Sequence, residues 1–519
     1  MDLTKCNLLN FVWFSILLIF VLITVKLYNP RKLLLAKNIP GPKGWLILWL
    51  FFDYINGSKN FSIRMIEIYK IYSQDKIIFK FWLGPLMCVV PTTPEDIKTL
   101  LLHPKVQKKG LFYKTMRETF LGEGLTTNNN LAKWHKHRKI VSSSLNNNKM
   151  KSFIQIFYEE ANILSNMILD ISNKESNECE ISVPISLTTM KIIKKSVFGN
   201  DISMKNEKYD FTVVKCIQTL MMIVEYRIRN LWYLNKSLFK WSAMGKIEER
   251  CKKEFLTYID CLMGMQDKEL NKFESYTKSN LKDSSKNGHK IQSIMDSIVE
   301  NSSGMTYKNI RDETSTLIGA GQDTTAFTNT CVIFHLAYHQ DIQHKVFEEQ
   351  EVIFSTGDYN RQPTYDDLNK MKYLERVIKE TLRINPPVQL ITRDIEEEID
   401  MGNYILPADS QLFVYIGYLH RSSLYYKDPK SFNPDNFLPE TCKNRHPYAF
   451  LPFSGGPRNC IGNKFAMLQM KTIISTLIRK NIFFPSQRYS SPTELQFKYS
   501  ITTKFANDCF VKIKSRQLM

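Results

Sequence analysis

The feature that most restricts this chain is a run of ten residues near its C-terminal end, Phe453-Ser454-Gly455-Gly456-Pro457-Arg458-Asn459-Cys460-Ile461-Gly462. Three glycines and a proline in so short a stretch suit a turn and not the interior of a helix or strand. Residues 464–478 behind it have the spacing of a helix. The cysteine is therefore presented from a turn at a helix N-terminus, where backbone N–H groups and the positive end of the helix dipole favour thiolate over thiol. Phe, Gly, Arg, Cys and Gly at these five spacings arise by chance on the order of once in 10,000 chains of average composition. A cysteine that only fills a core does not need them.

Upstream, residues 306–339 read as one long helix capped by Thr306, with Ile310, Leu317 and Ile318 on one side. Its centre carries Gly319, Gly321, Thr324 and Thr325, poor helix formers in succession, as expected where something is bound against a helix. Glu380 and Arg383 stand one turn apart on a helix that Asn385-Pro386-Pro387 ends, so a carboxylate can hold a guanidinium as a fork. Trp134 and Arg138 are also one turn apart. Residues 77–90 are aliphatic and aromatic around Gly84-Pro85 and suit a hairpin. The polar stretches 142–148 and 267–290 read as surface loops.

Taken in order, these segments resemble the cytochrome P450 family, from residue 39 to the C-terminus, and residues 456–471 are similar to its family 4 clan of animal microsomal enzymes. The resemblance implies a mainly α protein with a small β region, a prism-shaped single catalytic domain at 39–519 behind a membrane anchor and basic flank at 1–38. It implies heme b with Cys460 as the axial iron ligand, in a loop that includes Phe453 and Gly462. Trp134, Arg138, Arg393 and Arg458 match the family's propionate contacts. Electron donation from a thiolate promotes O–O cleavage. For that chemistry Gly321 leaves room for dioxygen, Thr324 supplies a hydroxyl and Asp323 relays protons from solvent. Glu380 and Arg383 match the core ion pair. Phe112, Leu317, Val388, Leu390 and Ile391 are expected to line the substrate pocket. The implied reaction hydroxylates or epoxidises an apolar small molecule such as a fatty acid, terpenoid or xenobiotic. Its electrons come from NADPH through a separate NADPH-cytochrome P450 reductase, since the chain has no dinucleotide motif. Cytochrome b5 is a second candidate donor, and Lys133, Lys136, Lys139 and Lys464 are candidates for docking.

Two residues depart from the family pattern. Asn436 stands where the family completes its ion pair with an arginine, and an amide supplies hydrogen bonds but no charge. Ala320 stands where many family 4 members carry a glutamate that esterifies a haem methyl, so the haem is expected to be non-covalent apart from the Cys460 bond.

Residues 8–25 contain no charge and span about 27 Å as a helix, enough for a thin bilayer. No small-residue cleavage site follows, and Lys26, Arg31, Lys32 and Lys37 come next. This pattern predicts an uncleaved single-pass anchor in the endoplasmic reticulum with the catalytic domain cytoplasmic. The Asn-x-Ser sites at Asn56, Asn60, Asn235 and Asn301 are then idle. Ten cysteines without a CxxC pair fit a reducing compartment. The net charge of +19 is spread along the chain with no nucleic-acid motif, so it points to lipid headgroups or an acidic redox partner and not to nucleic acid. Two other functions stay open: a haem-thiolate isomerase or dehydratase that needs no external electrons, and a haem-binding protein without turnover. Asp323 beside Thr324 argues against both.

Overall fold

The computed structural model describes residues 29–42, 59–83, 86–174, 178–199, 207–264, 292–301, 304–499 and 501–516. The chain is mainly helical, with eleven short strands among the described residues, and divides into two compact units. The smaller is drawn from Met1–Val106 and Arg393–Phe413, the larger from Gln107–Thr392 and Val414–Met519.

In the smaller unit, β1 (Phe79–Leu83) and β2 (Leu86–Val90) form the expected hairpin, paired antiparallel from Phe79↔Val90 to Leu83↔Leu86. Phe79, Phe81 and Leu83 alternate into the core, which sets the register. The Gly84-Pro85 turn lies outside the described residues. A four-stranded sheet has the order β1-β2-β7-β4, with β4 at Leu390–Ile395 and β7 at Ser410–Tyr415, and β5 (Ile399–Asp400) pairs with β6 (Ile405–Leu406). The unit boundary runs inside β4 and β7.

The proline stretch at 39–42 ends the helix Pro30–Asn38, as its lack of donors requires. Ile39 is buried, and Lys80 donates its N–H to the Pro40 carbonyl at 2.8 Å. A Cβ on Gly41 would lie 2.2 Å from the Lys80 carbonyl oxygen, so only glycine allows this approach. Among the described residues no helix is long and apolar enough to cross a membrane. The stretch 8–25 lies outside them.

Five helices of the larger unit surround or brace its interior, labelled in chain order: α1 (Leu131–Ser143), α2 (Ser182–Phe198), α3 (Tyr307–Tyr338), α4 (Lys372–Ile384) and α5 (Asn463–Lys480). Two sheets accompany them, β3-β11-β8 (Glu178–Glu180, Phe510–Ser515, Asn481–Pro485) and the pair β9 (Phe497–Tyr499) and β10 (Thr503–Phe505). Thr306 caps α3 through Asn309 N–H at 3.3 Å, so this helix falls within one residue of expectation at each end. It packs most extensively on α2, and even Asp312, Glu313, Gln322, Asp323 and Asn329 are buried along it. The stretch 142–148 is not one loop. Ser142 and Ser143 finish α1, Asn146 caps the next helix at Lys149 N–H, and that helix begins at Asn147. Serine hydroxyls that bond back to Ile140 and Val141 carry the helical turn through polar sequence. The stretch 267–290 lies outside the described residues.

Two of the three histidines buried in this unit, His335 and His420, are pushed well below their ordinary range. His335 stacks on Phe432 at 4.3 Å with Nε2 2.7 Å from Asn385 Oδ1; burial pushes it down to about 4, and burial pushes His420 down to about 3. Both folded values lie below the ordinary value of about 6.5, so their stabilisation is complete above about pH 6.5 and is lost as the pH falls toward 4. Thermal denaturation followed between pH 7 and 4 is expected to show a loss on the order of a few kcal/mol. A double variant, His335→Gln with His420→Gln, is expected to flatten that slope.

Candidate active site

The loop that the sequence singled out is built as a sequence of turns ending at α5. Ser454 donates its N–H to the Leu451 carbonyl at 3.0 Å, Asn459 to Gly456 at 3.1 Å, and Cys460 to Phe453 at 2.9 Å. Ser454 and Gly456 take positive φ, 62° and 70°, which folds the loop back on itself. Cys460 opens into a cavity of about 300 Å³ that lies wholly within the larger unit. From the other elements this cavity receives Leu317, Ala320, Gly321, Asp323 and Thr324 of α3, Trp134 and Arg138 of α1, and Phe453, Arg458 and Gly462 of the loop itself. Phe112, Val388, Leu390 and Ile391 also line it. Fourteen expected site residues therefore meet around one space, although they come from four distant parts of the chain.

Opposing influences act on the Cys460 thiol. Burial raises the Cys460 thiol above its ordinary value; the Gly462 N–H and the positive charges of Arg138 and Lys109 oppose this without overcoming it.

The cationic edge of the cavity is tightly knit. Arg138 and Arg458 lie over the Trp134 indole, 5.3 and 4.3 Å from its centroid. Arg138 Nη1 donates to the Asn459 carbonyl at 3.0 Å, and Arg458 Nη2 donates to the Asn128 carbonyl at 2.9 Å. The indole N–H expected to face a carboxylate donates instead to the Leu125 carbonyl at 3.2 Å. That carbonyl belongs to a segment tied to α3: Leu125 N–H donates to Glu313 Oε2 at 2.9 Å, and Glu313 Oε1 meets buried His137 of α1 at 2.7 Å. Arg393 is buried on β4 in the smaller unit.

On α3, Thr324 donates its hydroxyl to the Ala320 carbonyl at 2.9 Å and Thr325 donates to Gly321, so both hydroxyls bond back to the helix. A Cβ on Gly321 would lie 3.0 Å from Ile193 Cδ1, so the glycine also admits the close packing of α2. Asp323 is buried, one carboxylate oxygen paired with Lys504 of β10 and the other without a partner. Lys504 is not legible from sequence: it lies 181 residues further on, in no motif, and only the fold brings it to α3.

Glu380 and Arg383 lie outside the cavity, fully buried, and hold each other as a fork at 2.6 and 2.7 Å. The missing arginine is replaced by neutral donors and acceptors. Asn436 Nδ2 and Asn433 N–H donate to Glu380 Oε1 at 3.1 and 2.8 Å, while Arg383 donates to the carbonyls of His420, Pro429 and Ser431. One anion and one cation are thereby balanced without a third charge.

The family model described as Cytochrome P450 matches residues 39–504. The chain belongs to the cytochrome P450 family. Its relatives include Cytochrome P450 4c21 of Blattella germanica, 29% identical over 90% of this chain and 92% of that protein. Cytochrome P450 4V2 of Mus musculus is 31% identical over 85% and 82%, and Cytochrome P450 4c3 of Drosophila melanogaster is 30% identical over 89% and 87%. All three are family 4 proteins, and the chain is a P450 monooxygenase whose family binds haem through a thiolate. The cavity suits that group: one thiol for the iron, guanidinium groups suited to carboxylates, and apolar walls for the ring.

Proposed function

We propose that this P450 is a microsomal monooxygenase that draws electrons from NADPH through a separate reductase and hydroxylates or epoxidises an apolar small molecule, such as a fatty acid, terpenoid or xenobiotic. The observation that carries the reading is the single cavity in which Cys460 meets Asp323, Thr324 and an uncharged wall of Phe112, Leu317, Val388, Leu390 and Ile391. Heme b bound there supplies the activation of dioxygen. Cys460 Sγ would hold its iron, and the guanidinium groups of Arg138 and Arg458, stacked on Trp134, would hold its carboxylates. The apolar wall binds substrate by removing it from water and keeps water from the reacting centre.

Proton handling falls to Asp323 and Thr324. Lys504 holds one Asp323 oxygen, and the second, unpartnered oxygen is left to exchange a proton. Thr324 acts once its hydroxyl turns from the Ala320 carbonyl toward the cavity. Thr324→Ala is therefore expected to keep its haem while diverting most of the electrons to hydrogen peroxide, measured as product formed per NADPH consumed. An unchanged ratio would leave the hydroxyl as a helix back-bond only. Dependence of turnover on NADPH and reductase separates this reading from an isomerase or dehydratase.

Ala320 offers no carboxylate to the haem edge. Acidic organic solvent is expected to extract essentially all the haem, and haem that stays with the denatured chain would mean that another residue forms a covalent bond. The lysines read as donor-docking residues are at the surface: Lys136, Lys139 and Lys464 are exposed, and Lys133 is half-buried beside Glu123. The reductase, with cytochrome b5 as a second donor, is placed on this basic face. The uncharged run at 8–25, read as an anchor, supports a place in the endoplasmic reticulum membrane with the catalytic part in the cytosol.

A further inference from the structure

The Cys460 loop is held at its start by a side chain from outside the cavity. His420, fully buried at the end of the short helix Ile416–Leu419, uses both ring nitrogens. Nε2 accepts the Leu451 N–H at 2.8 Å, and Nδ1 lies 3.3 Å from the Leu382 carbonyl oxygen. A backbone N–H can only donate, so Nε2 carries no proton, and the imidazole is the neutral tautomer that donates from Nδ1.

The acceptor explains why a donor is needed there. Leu382 belongs to the last turn of α4, whose carbonyls have no helical partner. Asn385 N–H takes the Thr381 carbonyl at 2.7 Å, and Arg421 takes that of Ile384. His420 takes the Leu382 carbonyl between them, and its own carbonyl accepts Arg383 Nη1 at 3.1 Å. From the other nitrogen the bonds run inward. Leu451 accepts from Ser454 N–H at 3.0 Å, and the neighbouring Phe453 accepts from Cys460 N–H at 2.9 Å.

We propose that His420 is the positioning residue that fixes the Cys460 loop to the end of the Glu380–Arg383 helix, so that the imidazole sets where the sulfur is presented. The proposal rests on Cys460 being the ligand. A glutamine amide carries an acceptor and a donor and can serve both bonds, whereas leucine fills a similar space and serves neither.

The test compares the full-length protein with its His420→Leu and His420→Gln variants, reading hydrogen exchange at the Leu451 and Cys460 amides and the rate at which the thiolate Soret band is lost. In His420→Leu both amides are expected to exchange about ten- to a hundredfold faster, with faster loss of the band. His420→Gln is expected to stay within about threefold of the parent protein. Equal protection in His420→Leu, or lost protection in both variants, would overturn the proposal. Should His420→Leu give no folded protein, the glutamine variant decides alone: retained protection supports the role, and lost protection refutes it. Amide exchange does not depend on turnover or on the ligand. A parent protein without a thiolate band would therefore remove the ligand reading while the tether is still judged on its own result.

Discussion

Cys460→Ala is expected to abolish the red-shifted Soret band that the reduced, carbon-monoxide-bound protein gives, and with it all product formation. The sulfur is the only cavity-lining side chain of its kind: of the nine cysteines among the described residues, Cys460 alone lines this space. No histidine lines it; Met116, Met221 and Met470 do, but a thioether cannot give the red-shifted thiolate band. The fold itself is expected to survive, because the loop is held by the backbone bonds from Ser454, Asn459 and Cys460 N–H, none of which alanine removes. The check is the carbon-monoxide difference spectrum together with circular dichroism on the same sample. An unchanged Soret band in a folded Cys460→Ala protein would disprove the ligand assignment.

Glu380→Gln is expected to be as damaging to stability as Cys460→Ala is to chemistry. Both Glu380 and Arg383 have no exposed side-chain surface, so removing the anion strands a buried guanidinium in a low-dielectric interior. Breaking such a pair costs about 3–5 kcal/mol, enough to remove much of the margin of an ordinary domain. Substitution of both residues by leucine, often tolerated at buried pairs, is not expected to rescue this one. Arg383 also serves the carbonyls of His420, Pro429 and Ser431, and Glu380 serves the Asn433 N–H, so an apolar pair leaves these groups without partners. Denaturant midpoints of the single and double variants measure both effects. A shift below about 1 kcal/mol in Glu380→Gln would show that Asn436 and the backbone carry the network without the charge.

Asn436 illustrates where the two kinds of information part. From sequence it is a missing charge, which implies a weaker network. In the fold its amide reaches Glu380 while three carbonyls converge on Arg383, so the deficit is met by backbone groups that no residue pattern announces. The Trp134–Arg138 pair shows the same limit from the other side. Helical spacing places both residues on one face, but does not reveal that the indole N–H goes to the Leu125 carbonyl.

The sequence by itself determined what depends on local chemistry. The glycines and proline around Cys460 dictate a turn, Thr306 and the apolar spacing dictate the long helix, and Asn385-Pro386-Pro387 dictates the end of the helix that carries Glu380 and Arg383. These signals act over a few residues, so they survive in a one-dimensional string. Tertiary structure alone decided which buried polar groups satisfy one another across long separations: Lys504 on Asp323, His420 between Leu382 and Leu451, and Glu313 between His137 and Leu125. It also decided the balance at Cys460, where desolvation outweighs the Gly462 amide and the charges of Arg138 and Lys109. Desolvation is a property of everything packed around a group, and no neighbouring stretch of sequence encodes it.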